Sequence, residues 1–199
     1  MRRFIVLLAF VSLLVPGAFA DPISGGQTLV TLDPAFIDLL TTNSLVPSAI
    51  APATLSGAVA SFPITGGETN GSNAIITHSG GLTFTQGSTY LSIGNFVIDT
   101  ATSEVTGFAT NSDGLNASSV PLFTIGSGLT LDLTGTAAGA ISATFFGGSS
   151  DITQTLTGFK VGVADPQPTA ATPEPASLLL MATGMLGLAT TAYRKFSSR

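Results

Sequence analysis

The central part of this 199-residue chain alternates apolar and polar residues in short stretches that end at turn-forming residues. Leu82 and Phe84 alternate with threonines, a Gln-Gly-Ser turn follows, and Leu91 and Ile93 resume the pattern. The segment LTLDLTG, residues 129–135, repeats it with three leucines. Successive side chains of a strand point to opposite faces, so this period of two predicts half-buried strands joined by tight turns.

Two short helices are predicted between these strands. Asp33 and Pro34 form an N-cap followed by a proline at the first helical position, which predicts a helix through AFIDLL. The segment AAGAISATFFGG, residues 137–148, fits both helical and alternating spacing. We favour a helix, because Thr136 can cap its start and Gly147-Gly148 can end it.

The last part of the central region is predicted to be a strand followed by a linker. LTGFKVGV, residues 156–163, is predicted to place Phe159, Val161 and Val163 on one face of a strand. Closely spaced prolines then predict a semi-rigid linker over residues 165–172. The fold class predicted for residues 21–164 is mainly β: a single secreted domain, sandwich-like or barrel-like, with one or two short helices.

The N-terminus has the features of a secretory signal. Arg2 and Arg3 precede an apolar stretch that is too short to cross a membrane. Ala18 and Ala20 offer small side chains at the positions that signal peptidase reads. Residues 1–20 are therefore predicted to be a signal peptide, with cleavage after Ala20 and Asp21 as the first residue of the mature protein.

The C-terminus ends in a longer apolar segment. Residues 176–193 would span about 27 Å as a helix, enough to cross a bacterial inner membrane. A basic end follows this predicted transmembrane helix, and it is expected to hold the C-terminus in the cytoplasm. The cations of the basic end are Arg194, Lys195 and Arg199.

The region between the two ends is acidic and contains no cysteine. Residues 21–172 hold ten carboxylates and one cation, Lys160. Such a surface repels a polyanionic backbone, which excludes nucleic acid as a partner. Without cysteine the exported domain depends on its hydrophobic core, and thiol nucleophiles and thiolate metal sites are excluded.

The side chains that carry catalysis are few. His78 is the only histidine, and the adjacent Ser79 does not supply the geometry of a catalytic triad. A glycosidase cleft needs paired carboxylates and usually aromatic platforms, but the chain has no Trp and two Tyr. We predict that the protein is not an enzyme, that it has no cofactor, and that His78 is structural. Four carboxylates are expected in turns or on solvated faces: Asp99, Glu104, Asp113 and Asp132.

One loop offers a candidate calcium site. Asn111, Asp113 and Asn116 place oxygen ligands close together in sequence, as a hard cation prefers. Their spacing does not complete an EF-hand or a nonapeptide repeat, so the expectation stays with no dedicated metal site.

The central region is distantly similar to HtaA-type haem-binding surface domains, over roughly residues 28–163. The likeness lies in SFPITGG at 61–67, IITHSGGLTFTQGSTYLSIGNFVIDT at 75–100 and VPLFTI at 120–125. The resemblance implies a β-rich fold. That family holds haem with a tyrosine, and the corresponding segment here, AFIDLL, contains none. The histidine expected in the turn near TQGS is also absent, which leaves Tyr90 as a candidate iron ligand.

The tail resembles the PEP-CTERM sorting signal. The matching features are Pro173-Glu174-Pro175, the apolar helix from Ala176 to Tyr193, and the basic end. The resemblance implies processing by exosortase, a membrane-embedded protease or transpeptidase that acts near the PEP motif. It also implies a Gram-negative host that makes exopolysaccharide or biofilm matrix.

These features predict an exported, non-enzymatic surface or extracellular-matrix protein. The Sec translocon and signal peptidase would deliver it, the tail would hold it in the inner membrane, and exosortase would pass it to the cell surface or matrix. Exopolysaccharide is a predicted partner there. The alternatives are a ligand-binding surface module, for haem or calcium, and a periplasmic protein that stays anchored by its tail.

Overall fold

The computed structural model describes residues 21–171 and three further residues, Met181, Gly184 and Met185. The predicted signal peptide, the PEP motif and the basic end lie outside the described residues, as does most of the predicted helix 176–193. Within the described residues, no helix is both long and apolar enough to cross a membrane.

Strands make up most of the described chain, which confirms the prediction of a mainly β protein. The strands are β1 (Asp21–Leu32), β2 (Val46–Ile50), β3 (Thr54–Ser56), β4 (Val59–Asn70), β5 (Asn73–His78), β6 (Gly81–Gln86), β7 (Thr89–Asp99), β8 (Glu104–Asn111), β9 (Asn116–Ile125), β10 (Thr130–Leu133) and β11 (Lys160–Ala170). The α-helices are α1 (Pro34–Thr42), α2 (Gly135–Phe145) and α3 (Ser150–Leu156), and a 3-10 turn covers Ser127–Leu129.

The sheet closes on itself. Eight strands pair in the order β1-β4-β5-β7-β8-β9-β10-β11, and β11 pairs again with β1, always antiparallel. Apart from β2, β3 and β6, strands that follow each other in the chain are neighbours in this ring. Outside it, β2 pairs β6, β6 pairs the first half of β7, and β3 pairs β4. Of the two predicted architectures, the fold is therefore barrel-like.

The antiparallel order gives the ring two different ends. The helical end carries α1, α2, α3 and the loop from Asn111 to Asn116. The hairpin end carries the turns at Gly71-Ser72, Thr100–Ser103 and Gly126–Leu129, together with the start of β1 and the end of β11. Both ends of the domain chain therefore meet at the hairpin end, where the Ala171 amide donates to the Pro22 carbonyl at 2.9 Å.

Both predicted helices form, and one cap differs from the prediction. Asp33 caps α1, because its carboxylate accepts the Ala35 amide at 3.0 Å. At α2 the cap is Thr134 and not Thr136: the Thr134 hydroxyl accepts the Ala137 amide at 3.1 Å. Thr134 keeps the extended backbone of β10, whereas Thr136 is already helical, so only Thr134 has the geometry of an N-cap.

The predicted strand at 156–163 is corrected by the structure. Residues up to Leu156 belong to α3, and β11 begins at Lys160. The register between β10 and β11 shifts at Val161, so the alternation changes face there. Val161 and Ala164 are buried, whereas Val163 is 38% exposed and not on the face of Val161.

The predicted end of the domain at residue 164 is also wrong, because most of the predicted linker 165–172 is strand. Residues from Asp165 to Ala170 continue β11 and pair with β1. Pairing of β11 with β10 stops at Val163, so within the described chain the following residues have a partner strand on one side. Proline is tolerated at such an edge because it has no amide hydrogen to leave unpaired.

Candidate functional site

The ring encloses a cavity of about 440 Å³. Its walls are the inward side chains of the strands, and α2 contributes the wall at the helical end. Nearly all of the lining is aliphatic or aromatic, and no charged side chain belongs to it in the part of the chain that the structure describes. The polar side chains of the lining are Thr28, His78, Asn111 and Thr136.

The cavity exists because small residues occupy inward positions. Ala60 on β4 and Ala109 on β8 are fully buried, yet their side chains leave the centre of the ring unfilled. Most of the residues with which α2 lines the cavity are also small: Thr136, Ala137, Gly139, Ala140, Ile141 and Ala143. A helix with this face covers the end of the ring without filling its interior.

The cavity reaches the surface between β9 and α2. Leu115, Ala117 and Val120 line it and are half-buried, and Ala143 of α2 lines it and is exposed. The strands separate at this point, because β9 pairs with β10 only at Phe123–Ile125. Thr136 of α2 also lines the cavity and is exposed, so the mouth is mostly apolar.

The polar contact inside the cavity joins β1, β5 and β7. Thr28 is 2% exposed and His78 is 5% exposed, and the Thr28 hydroxyl lies 2.7 Å from Nε2 of His78. Nδ1 of His78 lies 3.0 Å from the Phe96 carbonyl oxygen. Burial lowers the pKa of His78, and the hydrogen bond to Phe96 opposes this more weakly. The imidazole of His78 is therefore neutral at neutral pH.

The position of His78 follows from the sequence His-Ser-Gly-Gly. His78 is the last residue of β5, and Gly80 has a φ of +81° that reorients the chain before β6. A Cβ on Gly80 would lie 2.5 Å from the Ala53 nitrogen and 2.6 Å from the Ile50 oxygen. Glycine thus allows β5 to end with His78 pointing inward while the chain passes close to its neighbours.

Of the three calcium candidates, Asn111 is engaged by its own turn. The Asn111 side-chain oxygen accepts the amides of Asp113 at 3.0 Å and Leu115 at 2.7 Å, so it stabilises its own turn. Its side-chain amide donates to the Thr144 hydroxyl at 2.8 Å. Asp113 and Asn116 are exposed. Calcium binding by Asn111 would have to break both backbone contacts.

The other candidate residues lie apart from the cavity. Asp99 and Glu104 face each other across the β7–β8 turn, where the Asp99 carboxylate accepts the Ala101 amide at 2.9 Å. Tyr90 is 40% exposed on β7. Asp132 is half-buried on β10 and is not part of the lining.

One ion pair joins the N-cap residue of α1 to the first residue of β11. Nζ of Lys160 lies 3.0 Å from the Asp33 carboxylate. This contact holds the pKa of Asp33 below its usual range, with a further contribution from the Ala35 amide. Among the described residues, no group of three or more His, Cys, Asp or Glu side chains is placed to hold a metal ion.

The cavity and the role of Thr28 were not predicted from the sequence. The signal that could have revealed Thr28 is its place in the alternation of β1, where Thr28, Val30 and Leu32 share the inward face. A polar residue at a core position requires a partner. The cavity itself depends on which alanines meet across the ring, and this is a property of the topology.

Comparison with known families identifies the tail. Residues 171–195 match the PEP-CTERM protein-sorting motif. This match confirms the predicted sorting signal and marks the chain as one that exosortase sorts to the cell surface. No curated protein matches the chain.

Proposed function

We propose that this chain is a non-enzymatic protein of the cell surface or extracellular matrix, held for a time in the inner membrane and then processed by exosortase. The observation that carries the proposal is the sorting motif at residues 171–195. It follows β11 without a spacer, because the strand ends at Ala170. The folded domain is thus joined directly to its sorting signal.

The position of the N-terminus supports the same route. Asp21, the predicted first residue after signal-peptide cleavage, already lies in β1 opposite Thr69 of β4. The start of β1 and the end of β11 meet at the hairpin end. Signal peptidase, after Sec export, and exosortase would therefore cut on the same side of the ring, and neither cut would open it.

The environment of the titratable side chains supports a role without catalysis. Both imidazole nitrogens of His78 are engaged in hydrogen bonds, and the side chain is buried. The Asp99 carboxylate accepts the Ala101 amide within its own turn, and Asp113 is exposed. The Thr28 hydroxyl and Nε2 of His78 meet at the cavity wall, but Nδ1 of His78 faces the Phe96 carbonyl oxygen, so a carbonyl and not a carboxylate orients the imidazole.

Pulse-labelling in the host tests the sorting proposal. In a strain with exosortase, the labelled precursor should shorten and move from the membrane to the surface or medium. Without exosortase it should keep its full tail and stay in the membrane. A chain with Pro173 and Pro175 replaced by Ala should behave like the exosortase deletion, whereas replacement of Pro166 and Pro168 should not. An unchanged mass and location in the deletion strain would contradict the proposal.

A second candidate function, a ligand-binding surface module, is favoured by the cavity. The haem and calcium forms of this idea have less support, since Tyr90 lies on the exposed outside of β7 and the Asn111 oxygen is engaged in its turn. A predominantly apolar interior of about 440 Å³ is instead the size and character of a small-molecule site.

A further inference from the structure

We infer that the cavity binds an uncharged, mostly apolar molecule with a hydroxyl group, and that this hydroxyl donates a hydrogen bond to Thr28. The inference rests on the second candidate function and gives the chemical class of its ligand. It does not depend on processing of the tail, so each can fail without the other.

The volume of the cavity argues that it is filled. Engineered cavities in protein cores cost about 24 cal/mol per Å³, so an empty apolar space of about 440 Å³ would forfeit an amount comparable with the whole stability of a domain. Water gains little there, because it needs two to four polar partners and the lining is nearly all apolar. An apolar molecule offsets this loss, and an eight-stranded barrel has room for one small ligand.

The lining argues against a charged ligand. No Lys, Arg, Asp or Glu belongs to it within the described chain. An ionised group placed there would lose its hydration without gaining a counter-ion. His78 is held neutral by its burial, so it does not supply a positive charge. The ligand is therefore uncharged.

The hydrogen bonds of His78 set the direction of the polar contact. The Phe96 carbonyl can only accept, so Nδ1 of His78 carries the proton and donates to it. In the neutral imidazole, Nε2 is then an acceptor, and the Thr28 hydroxyl must donate to it. The Thr28 oxygen has lone pairs left and no hydrogen to give. A ligand hydroxyl fits this acceptor, whereas a carboxylate or an ether oxygen does not.

The mouth between β9 and α2 provides the way in. Its apolar residues are Ala117 and Val120 on β9, Leu115 just before that strand, and Ala143 on α2, and they suit the passage of a hydrocarbon chain. Thr28 and His78 lie on strands across the ring from this mouth. The hydroxyl end would therefore enter first and the apolar part would fill the space behind it.

Photo-crosslinking of the full chain in phosphatidylcholine vesicles tests the inference at pH 8. The two probes are a twelve-carbon alcohol and the matching carboxylic acid, each with a diazirine at mid-chain. Labelled peptides are mapped by mass spectrometry, and labelling of residues 176–193 reports how much probe is in the membrane. After this normalisation, the alcohol should label cavity peptides at least about tenfold more than the acid, a difference of about 1.4 kcal/mol.

Two substitutions separate the cavity from the hydroxyl contact. Ala109→Phe fills the space and should remove most cavity labelling, while Ala101→Phe on an exposed turn should not. Thr28→Val keeps the shape and should lower cavity labelling by the alcohol several-fold without raising labelling by the acid, while Thr83→Val, outside the lining, should leave labelling by the alcohol unchanged. If a variant does not fold, competition in the wild-type chain replaces it: excess unlabelled dodecanol should remove the cavity labelling at a much lower concentration than dodecane does, and equal competition would contradict the hydroxyl contact.

Each outcome decides the inference. Equal labelling by the two probes, or a preference for the acid, would overturn the assignment of a hydroxyl ligand. Labelling confined to residues 176–193, with no cavity peptide labelled by either probe, would overturn the cavity as a binding site. Neither result would bear on exosortase sorting, which is read from the mass and location of the chain.

Discussion

Burial of His78 makes the stability of the domain depend on pH. Its pKa is lowered in the folded state, whereas an unfolded histidine titrates at about 6.5. Below that pH the unfolded chain binds more protons than the folded one, so the free energy of unfolding falls as the pH falls. The loss, at most about 1.4 kcal/mol per pH unit, continues until the folded pKa is reached.

Urea unfolding of residues 21–171 at pH 8, 7, 6 and 5 checks this prediction. The His78→Gln variant should be less stable at pH 8, because Thr28 loses its partner. Its free energy of unfolding should, however, stay nearly constant between pH 7 and pH 5. Asp33 does not interfere, because its pKa is lowered from an already acidic value and its contribution is lost at lower pH. The same slope in the wild type and the variant would contradict the assignment to His78.

Replacement of two glycines by alanine should change the stability of the domain in opposite directions. Gly139 lies inside α2, and a Cβ there would meet no atom within 4 Å, so Gly139→Ala should stabilise the domain by about 0.5–1 kcal/mol. Gly80 has a φ of +81° and a crowded Cβ position, so Gly80→Ala should cost at least about 1 kcal/mol. Thermal unfolding of both variants compares them, and equal shifts would show that local backbone geometry does not control these positions.

At the level of elements, the last strand is the sharpest test of the fold. A domain of residues 21–171 keeps all of β11, whereas one that ends at Ala164 loses the pairs that join Asp165–Ala170 to β1. At about 0.5–1.5 kcal/mol per hydrogen bond, the shorter domain should lose roughly 3 kcal/mol or more. Circular dichroism melting measures the loss. If residues 165–171 were a spacer, the longer and the shorter domain would have the same melting temperature.

The elements also show what local sequence can and cannot predict. The cap at Asp33 and the alternation of β6 and the first half of β7 depend on neighbouring residues, and both were predicted correctly. The proline-rich end of β11 was read as a linker because its local composition is that of a spacer. Its strand structure comes from β1, which lies more than a hundred residues away in the chain. The face change at Val161 likewise depends on a partner strand.

For the whole molecule, closure of the ring is the property that the sequence predicted least. A period of two fits a sandwich and a barrel equally well, because both bury one face of every strand. The β1–β11 pairing that distinguishes them joins the two ends of the domain. The cavity follows from this closure, since Ala60, Ala109 and the small face of α2 meet only when the ring is complete.

The two ends of the ring predict how the domain stands on the membrane before it is processed. From Ala171 to the predicted helix start at Ala176, five extended residues reach at most about 18 Å. The hairpin end should therefore face the bilayer, and the mouth of the cavity, at the helical end, should face away. Because the chain has no cysteine, single cysteines can be labelled at two exposed turn serines, Ser72 at the hairpin end and Ser112 at the helical end.

Fluorophores at these two positions measure the orientation. With the full chain in vesicles, a nitroxide on the lipid headgroups should quench the label of Ser72→Cys much more than that of Ser112→Cys. The reason is that a ring of strands about ten residues long, tilted by about 40°, separates the two ends by roughly 25 Å. After cleavage of the tail the two labels should become equally insensitive. Equal quenching in the uncut chain would mean that the domain lies on its side.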